Sequence, residues 1–202
     1  GIVSFKDLYM KNIFLSFIFF IYFDLVFANK KDLELSDLWQ TIEKKMTIDL
    51  KQDFSTKNTI GYLNYFKPNS KINIYQFGND VSGKKGPGKT IKIYTGNIFS
   101  SLIRGRIPAK IMVKTLFKRL SKQNYKNSEI YLLGIQKNDN ELKAYMRFER
   151  YNKSNEMYLS AKGLYSLINI DQKWYITEMS TFDDNQKSDV LVNFQNMWYP
   201  KK

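Results

Sequence analysis

The sequence predicts an α+β fold in which N-terminal helices pack on a curved antiparallel β-meander. Four runs rich in Tyr, Ile, Leu, Phe and Met fill the stretch Glu129–Asp183, and short polar turns at 138–140, 152–155 and 169–172 separate them. Turns this short favour antiparallel neighbours, because parallel strands need a long crossover. The residues before this stretch carry the apolar spacing of helices, and helices followed by strands are the order of an α+β domain.

The start of the sequence carries the parts of a secretory signal peptide. Met10 is a natural start, a basic residue and the apolar run Ile13–Phe23 follow it, and Ala28 supplies a small residue for cleavage. We therefore predict two segments: residues 1–28, which are upstream residues plus the signal peptide, and residues 29–202, a single exported α+β domain. The predicted location is periplasmic or secreted, and an uncleaved anchor helix is the alternative.

Two helices and a strand are predicted before the most basic part of the chain. Ser36 can cap a helix over Ser36–Met46, and the apolar residues from Leu35 onward are spaced at i, i+3, i+4 and i+7, which is typical of a helix lying on a core. A shorter helix is predicted over Thr56–Phe66. Pro68 marks its end, because the residue before a proline disfavours the helical conformation. The segment Ile72–Phe77 has the composition of a strand.

The segment Gly83–Thr90 matches the phosphate-loop pattern G-x-x-x-x-G-K-[ST]. In that motif a strand leads into the loop, and N–H groups at the start of a following helix wrap the phosphates. Here the following residues, Ile91–Thr95, are alternating and rich in β-branched side chains, which predicts a strand instead of a helix. We therefore interpret the segment as a flexible basic hairpin loop, and nucleotide binding through Gly83–Thr90 is the minor alternative.

The formal net charge is +13, and the excess lies in the middle of the chain. Residues 51–126 hold thirteen Lys and three Arg against two Asp. Within them, a helix beginning at Ala109 has an apolar stripe and a Lys at every fourth position, which indicates a basic amphipathic helix. Such a face binds polyanions or anionic membranes, although it is more often only solvated. The predicted anion-binding surface consists of Lys84, Lys85, Lys89, Arg104, Arg106, Lys110, Lys114, Lys118 and Lys122.

The chain contains no Cys and no His. This composition excludes cysteine nucleophiles, histidine general bases, Ser-His-Asp triads and zinc sites built on Cys or His. Any acid–base chemistry is left to Asp, Glu, Lys or Tyr. We predict no metal site and no cofactor.

Alternation along the meander predicts one apolar face and one polar face. Met146 and Phe148 lie on the apolar side of the second strand. A hairpin folded about residues 153–154 sets Met146 opposite Ala161 and keeps the apolar residues of both strands on one face. A slip by one residue would mix the faces, so the agreement favours this pairing.

The first and fourth strands of the meander are predicted to extend the apolar face. A hairpin folded about residues 139–140 adds Tyr131 and Leu133 to it. On the fourth strand, Glu178 falls on the same side as Ile176. A carboxylate among aromatic rings is partly desolvated, which makes it a candidate for acid–base chemistry.

A pocket on the apolar face would hold the candidate catalytic residues. Glu178 is the predicted general base, and Arg150 or Tyr165 is the predicted orienting or oxyanion group. The alternative is that Glu178 lies at a sheet margin and reaches water. The polar face, with Arg147 and Glu149, is interpreted first as cross-strand ion and hydroxyl pairing and second as a partner or dimer face. The predicted pocket lining consists of Tyr131, Met146 and Phe148.

The order of elements resembles the nuclear-transport-factor-2-like family, which includes SnoaL-like domains and has a cystatin-like cone. The matching stretches are Ser36–Met46 as the leading helix, Glu129–Asp183 as the curved sheet and Lys173–Met179 as the last strand. The resemblance implies a cone that encloses an apolar pocket and often dimerises. Some members are isomerases or hydrolases that use pocket carboxylates, and many only bind. The long basic middle and the absence of His depart from the family's layout.

These observations predict an exported, non-enzymatic binding or interaction domain with a basic middle region and an apolar pocket. The alternative is an isomerase-like or hydrolase-like enzyme that uses Glu178 as its general base. The expected partners are a polyanion, a membrane surface or a small apolar ligand, together with a homodimer through the sheet. Specific nucleic-acid recognition is not expected.

Overall fold

The computed structural model describes residues 33–79, 85–183 and 199, with the backbone alone at 77–79, 85–88 and 183. The predicted signal peptide therefore lies outside the described residues. The chain divides into two compact units, residues 1–41 and residues 42–202. In the first unit, residues 33–41 are helical.

A π-helix and four α-helices form in the described part of the second unit. They are the π-helix Lys44–Asp49, α1 (Leu50–Ser55), α2 (Thr59–Leu63), α3 (Ile98–Ile103) and α4 (Ala109–Lys122). The predictions of helical structure at 36–46 and of a helix from Ala109 are confirmed. The second predicted helix is shorter, because Lys57 takes a positive φ of 57° and Asn58 then caps a new start. Among the described residues, no helix is both long and apolar enough to cross a membrane.

Seven strands form one curved, unclosed sheet. They are β1 (Lys71–Asn79), β2 (Lys85–Tyr94), β3 (Ile107–Pro108), β4 (Tyr125–Asn138), β5 (Glu141–Asn152), β6 (Met157–Ile170) and β7 (Lys173–Asp183). Their order across the sheet is β3-β2-β1-β7-β6-β5-β4. The meander from β4 to β7 is antiparallel, as predicted, whereas β1 joins β7 in parallel. Helices before an antiparallel meander confirm the α+β class.

The helices cover one face of this sheet, which we call the inner face. The Phe54 ring of α1 makes edge-to-face contacts with Tyr62 of α2, Phe117 of α4 and Tyr125 of β4, with ring centroids 5.5, 5.5 and 6.0 Å apart. These rings and the inner-face side chains of the sheet form the core. The inner face includes Leu132, Ile135, Leu142, Ala144, Met146, Phe148, Arg150, Tyr165, Leu167 and Met179. We call the opposite side the outer face.

β1 and β2 form an antiparallel hairpin, and the phosphate-loop match falls on it. A phosphate loop requires a helix after the loop, but Lys85–Tyr94 is a strand in which Thr90 pairs with Tyr75. The predicted hairpin is therefore confirmed, but residues 85–90 belong to its second strand and not to its loop. Gly83 and Lys84 lie outside the described residues.

The pairing of β5 with β6 keeps the predicted faces but not the predicted register. Met146 lies opposite Gly163, and Phe148 lies opposite Ala161, which is two residues from the expected match. The turn contains three residues, because Asn152 N donates to Glu156 O at 3.0 Å, and a bulge after Arg150 adds one more residue. An offset of two preserves the faces because strand side chains alternate with period two.

A bulge in β4 overturns the predicted position of Tyr131. The pairing skips Leu133 between Leu132 and Gly134, so the residues before it change faces. Tyr131 therefore lies on the outer face opposite Arg147, and 45% of it is exposed. The prediction that Tyr131 lies on the apolar face and lines a pocket there is wrong, and Leu133 is the unpaired residue of the bulge.

A second bulge, in β7, overturns the predicted face of Glu178. Ile176 pairs with Leu167 and Glu178 pairs with Ser166, so Thr177 is the additional residue. The bulge lies where β7 changes neighbours. Ile176 N donates to Tyr65 O at 2.7 Å, whereas Glu178 is already paired with β1. Glu178 consequently lies on the outer face, partly exposed, and not beside Ile176.

Candidate ligand-binding face

Two tyrosines and a phenylalanine form an aromatic wall on the inner face. Tyr62 of α2 and Tyr165 of β6 are buried, at 6% exposure each. The rings of Tyr165 and Phe148 lie against the backbone of Gly163, where an added Cβ would be 2.8 and 2.9 Å from their ring atoms. Gly163 therefore allows both rings to lie flat over the middle of the sheet.

Arg150 is the cation of this inner face. Its guanidinium carbon lies 5.3 Å from the centre of the Phe54 ring, an arrangement that favours a cation–π contact. Its strand neighbours are Ser128 and Leu159, and both offer a neutral side chain. Among the residues that the structure describes, Arg150 has no ion pair or hydrogen bond through its side chain. Arg150 is partly exposed to solvent.

The positive charge of Arg150 acts on the pKa of three tyrosines, Tyr62, Tyr158 and Tyr165. Burial raises the pKa of Tyr62 to about 12, and the positive charge of Arg150 works in the opposite direction. Burial also raises the pKa of Tyr165 and of Tyr158, and Arg150 again opposes the change. All three phenols are therefore neutral hydrogen-bonding groups near a cation at physiological pH.

A short chain of hydroxyl groups lies beside Arg150. The Tyr125 hydroxyl donates to Ser55 Oγ at 3.3 Å, so Ser128 Oγ, 2.9 Å from Tyr125, donates to the Tyr125 oxygen. Ser128 is the residue directly opposite Arg150 on β4. The inner face thus combines a cation and hydroxyl groups at one end with aromatic rings next to them.

The Asp53 carboxylate of α1 is hydrogen-bonded within the protein through both of its oxygens. Asp53 accepts from Asn58 Nδ2 at 2.8 Å and from the Tyr65 hydroxyl at 3.0 Å, one bond to each oxygen. Burial raises the pKa of the Tyr65 phenol most, and the hydrogen bond from Tyr65 to Asp53 raises it further. Asp53 therefore fixes the turn between α1 and α2.

The outer face carries the most tightly held carboxylate among the described residues. Arg147 contacts Glu149 at 2.7 Å, and the Tyr151 hydroxyl donates to the other Glu149 oxygen at 2.6 Å. The bond from Tyr151 is the first cause that raises the pKa of that phenol to about 12. Glu129 on β4 accepts from Lys51 of α1 at 3.0 Å. Ion and hydroxyl pairing was predicted for this face, but the Glu149 partners lie two residues away on the same strand instead of across it.

The structure therefore separates the predicted site residues into two groups. Arg150, Tyr165, Met146 and Phe148 share the inner face, as the alternation predicts. Glu178 and Tyr131 lie on the outer face, on the other side of the backbone sheet. Sequence reasoning missed the helix residues that complete the inner face, Phe54 and Tyr62. The apolar pattern marks both as core residues, and nothing in it aligns them with a particular strand.

The predicted anion-binding surface is only partly one surface. Lys110, Lys114, Lys118 and Lys122 are exposed on α4, and Arg104 is exposed before it. Arg106 is used within the fold, because it donates to Asn73 Oδ1 at 2.8 Å. Lys89 is exposed on β2, at a distance along the chain from α4. Lys84 and the side chain of Lys85 lie outside the described residues.

No protein-family model and no curated protein sequence matches the chain. Among solved structures, it is similar to an NTF-2-like protein of unknown function from Shewanella oneidensis, with 10% identity, coverage of 74% of this chain and 99% of that chain, and a TM-score of 0.49. It is also similar to a domain of unknown function with a cystatin-like fold from Nostoc punctiforme, with 7% identity, coverage of 78% and 85%, and a TM-score of 0.49. Both descriptions name the kind of fold that the sequence resembles.

Proposed function

We propose that the chain is a non-enzymatic binding domain whose inner face holds a small, largely apolar ligand through an anionic group. The observation that carries this proposal is Arg150, a partly buried guanidinium on an aromatic face with no acidic partner among the described residues. Phe148, the partly exposed ring of the aromatic wall, would contact the apolar part of the ligand. The Arg150 guanidinium would contact its anionic group.

The energetics of a partly buried cation support this assignment. Removing a charged group from water is unfavourable unless another group replaces the lost hydration. The Phe54 ring replaces part of it, since a cation over an aromatic face is attracted to the ring. A ligand carboxylate would replace the rest, because a guanidinium donates two parallel hydrogen bonds to a carboxylate. The inner face is therefore suited to an acid more than to its neutral analogue.

The position of Glu178 favours binding over catalysis at this face. A general base must come within hydrogen-bond reach of the proton that it removes. Glu178 projects from the outer face and Arg150 from the inner face, so the sheet lies between them. The enzyme alternative that combines these two residues on one substrate is not supported by their placement.

The test compares an acid with its own amide. We expect 2-naphthoate to bind the full chain at least about tenfold more tightly than 2-naphthamide in calorimetric titration, because a hydrogen bond to a charged group is worth more than a neutral one. Arg150→Gln should reduce this preference to near unity. Arg119→Gln, which removes an exposed arginine on α4, is the matched control and should keep the preference.

Two results would count against the proposal. Equal affinities for 2-naphthoate and 2-naphthamide would mean that no cationic side chain binds the carboxylate. An unchanged preference in Arg150→Gln would mean that another cation does so. A series from octanoate to dodecanoate, each beside its amide, extends the same comparison to flexible apolar ligands.

We further propose that the domain is exported, on the strength of the signal-peptide pattern between Met10 and Ala28. The expected product of expression in a bacterial host is a chain that begins at Asn29 and is found outside the cytoplasm. N-terminal sequencing of the purified protein tests this. A cytoplasmic chain that keeps its first 28 residues would contradict it.

A further inference from the structure

The short helix α3 presents its apolar side chains to solvent. Phe99 and Ile103 are 73% and 72% exposed, and Ile98 and Leu102 are also more than half exposed. The buried residue of the helix is Ser101, whose hydroxyl donates to Asn97 O at 2.8 Å. A helix on a globular core normally buries its large apolar residues and exposes its polar ones. In α3 this arrangement is inverted.

The exposed apolar surface continues beyond α3. Ile107 of β3 and Ile111 of α4 are each 46% exposed, and β3 contacts both helices. We call these side chains the apolar patch: Ile98, Phe99, Leu102, Ile103, Ile107 and Ile111. Large apolar side chains exposed on elements that contact one another mark a site of interaction with a partner or a membrane.

Cations border the apolar patch. Lys110, Lys114 and Lys118 occupy successive turns on the exposed side of α4, around Ile111, and Arg104 follows α3 directly. We call these four residues the basic rim. Residues 97–122 contain no Asp or Glu, and no member of the rim has an ion pair among the described residues. The Arg104 guanidinium lies 5.0 Å from the Tyr94 ring, which holds it beside the patch.

We propose that the apolar patch and the basic rim dock the protein on a lipid bilayer that carries anionic headgroups. Leu102, Ile103 and Phe99 would enter the boundary between headgroups and acyl chains. Lys110, Lys114 and Lys118 would contact the phosphate groups. An amphipathic helix on a membrane surface is held by the same two contacts, apolar burial and attraction between basic side chains and anionic headgroups.

Charge and side-chain type favour a bilayer over the other occupants. A second copy of the chain would bring two acid-free basic rims together, and like charges at an interface are unfavourable. A single nucleic-acid strand is bound mainly by aromatic stacking, and the patch has one aromatic ring among aliphatic side chains. An anionic bilayer offers both an apolar layer and negative charge to the same surface.

The absence of Cys in the chain allows a local reporter of this contact. Ile103→Cys carries a nitrobenzoxadiazole fluorophore on the patch, and Ile60→Cys carries the same fluorophore on α2. Ile60 is the matched control because it is 68% exposed, close to the 72% of Ile103. Because the label reports its own surroundings, binding of the full chain through another segment leaves the label at position 103 in water.

We expect the label at position 103 to shift to the blue with vesicles made of equal parts phosphatidylcholine and phosphatidylglycerol. The label at position 60 should keep its emission. Vesicles of phosphatidylcholine alone, or high salt, should abolish the shift. In the labelled chain, Lys114→Gln should raise the lipid concentration needed for half of the shift about fivefold. Lys137→Gln, at an exposed position near the end of β4, should leave it unchanged.

Three results would overturn the proposal. The first is emission from position 103 that stays that of water on anionic vesicles. The second is an equal shift on neutral vesicles, which would remove the role of the basic rim. The third is a shift without lipid that grows with protein concentration, which would identify a second copy of the chain as the occupant.

Discussion

Two arginines three positions apart on β5 lie in opposite situations. Arg147, on the outer face, contacts Glu149 at 2.7 Å, and Tyr151 completes the carboxylate at 2.6 Å. Arg150, on the inner face, lies against the Phe54 ring and has no carboxylate partner among the described residues. An odd spacing along a strand places two side chains on opposite faces. The comparison teaches that the outer face uses its charges to hold the sheet, whereas the inner face leaves a charge for a ligand.

The largest expected effect comes from removing a charge on each face. Glu149→Gln should lower the free energy of unfolding by about 1–3 kcal/mol, because it weakens two charge-assisted hydrogen bonds of a buried group. Arg150→Gln should change the free energy of unfolding by less than about 0.5 kcal/mol. Urea denaturation of both variants measures the difference. A loss in Arg150→Gln as large as that in Glu149→Gln would mean that Arg150 has a structural role, and the contrast between the faces would fail.

The buried phenol of Tyr62 makes the contribution of the inner face to the free energy of unfolding depend on pH. The pKa of Tyr62 is raised by burial to about 12, above the ordinary value of 10.0. Above about pH 10 the unfolded state therefore binds fewer protons than the folded state, and the free energy of unfolding falls as pH rises towards 12. At about pH 11 this loss from Tyr62 should be on the order of 1 kcal/mol.

Tyr62→Phe isolates that contribution from the titration of other groups. Between about pH 9 and pH 11, the variant should lose less stability than the wild-type chain does. Urea denaturation at the two pH values gives both slopes. Parallel slopes would show that Tyr62 ionises equally easily in both states, and that burial on the inner face has no such effect.

The sequence predicts the faces of the regular strands and fails at the bulges. Along β5 and β6, the alternation places Met146, Phe148 and Arg150 correctly, because a register error of two residues leaves the faces intact. A bulge shifts the alternation by one residue, so it moves all the side chains on one side of it to the other face. The bulges at Leu133 and Thr177 are the reason that Tyr131 and Glu178 were misplaced.

The cause of the Thr177 bulge lies far away in the sequence. β7 hydrogen-bonds to Tyr65 and Lys67 before the bulge and pairs with β1 after it. The sequence pattern around Thr177 does not indicate that β7 changes its hydrogen-bonding neighbour there. The inverted helix α3 escaped prediction for a related reason, since its exposed apolar side chains do not follow the rule that places apolar residues in a core.

The smallest expected effect tests whether burial distinguishes the ion pairs of two outer-face carboxylates, Glu129 and Glu149. Lys51 and Glu129 are 3.0 Å apart, but their side chains are 34% and 37% exposed, whereas the Glu149 side chain is 10% exposed. A double-mutant cycle with Lys51→Ala and Glu129→Ala should give a coupling of about 0.2–1 kcal/mol, which added salt reduces. The same cycle on Arg147 and Glu149 should give a larger coupling that salt reduces less, because water screens that pair less effectively. Equal couplings would mean that a charge pair on this face has the same strength at any depth, and then the missing partner of Arg150 would no longer distinguish the inner face from the outer one.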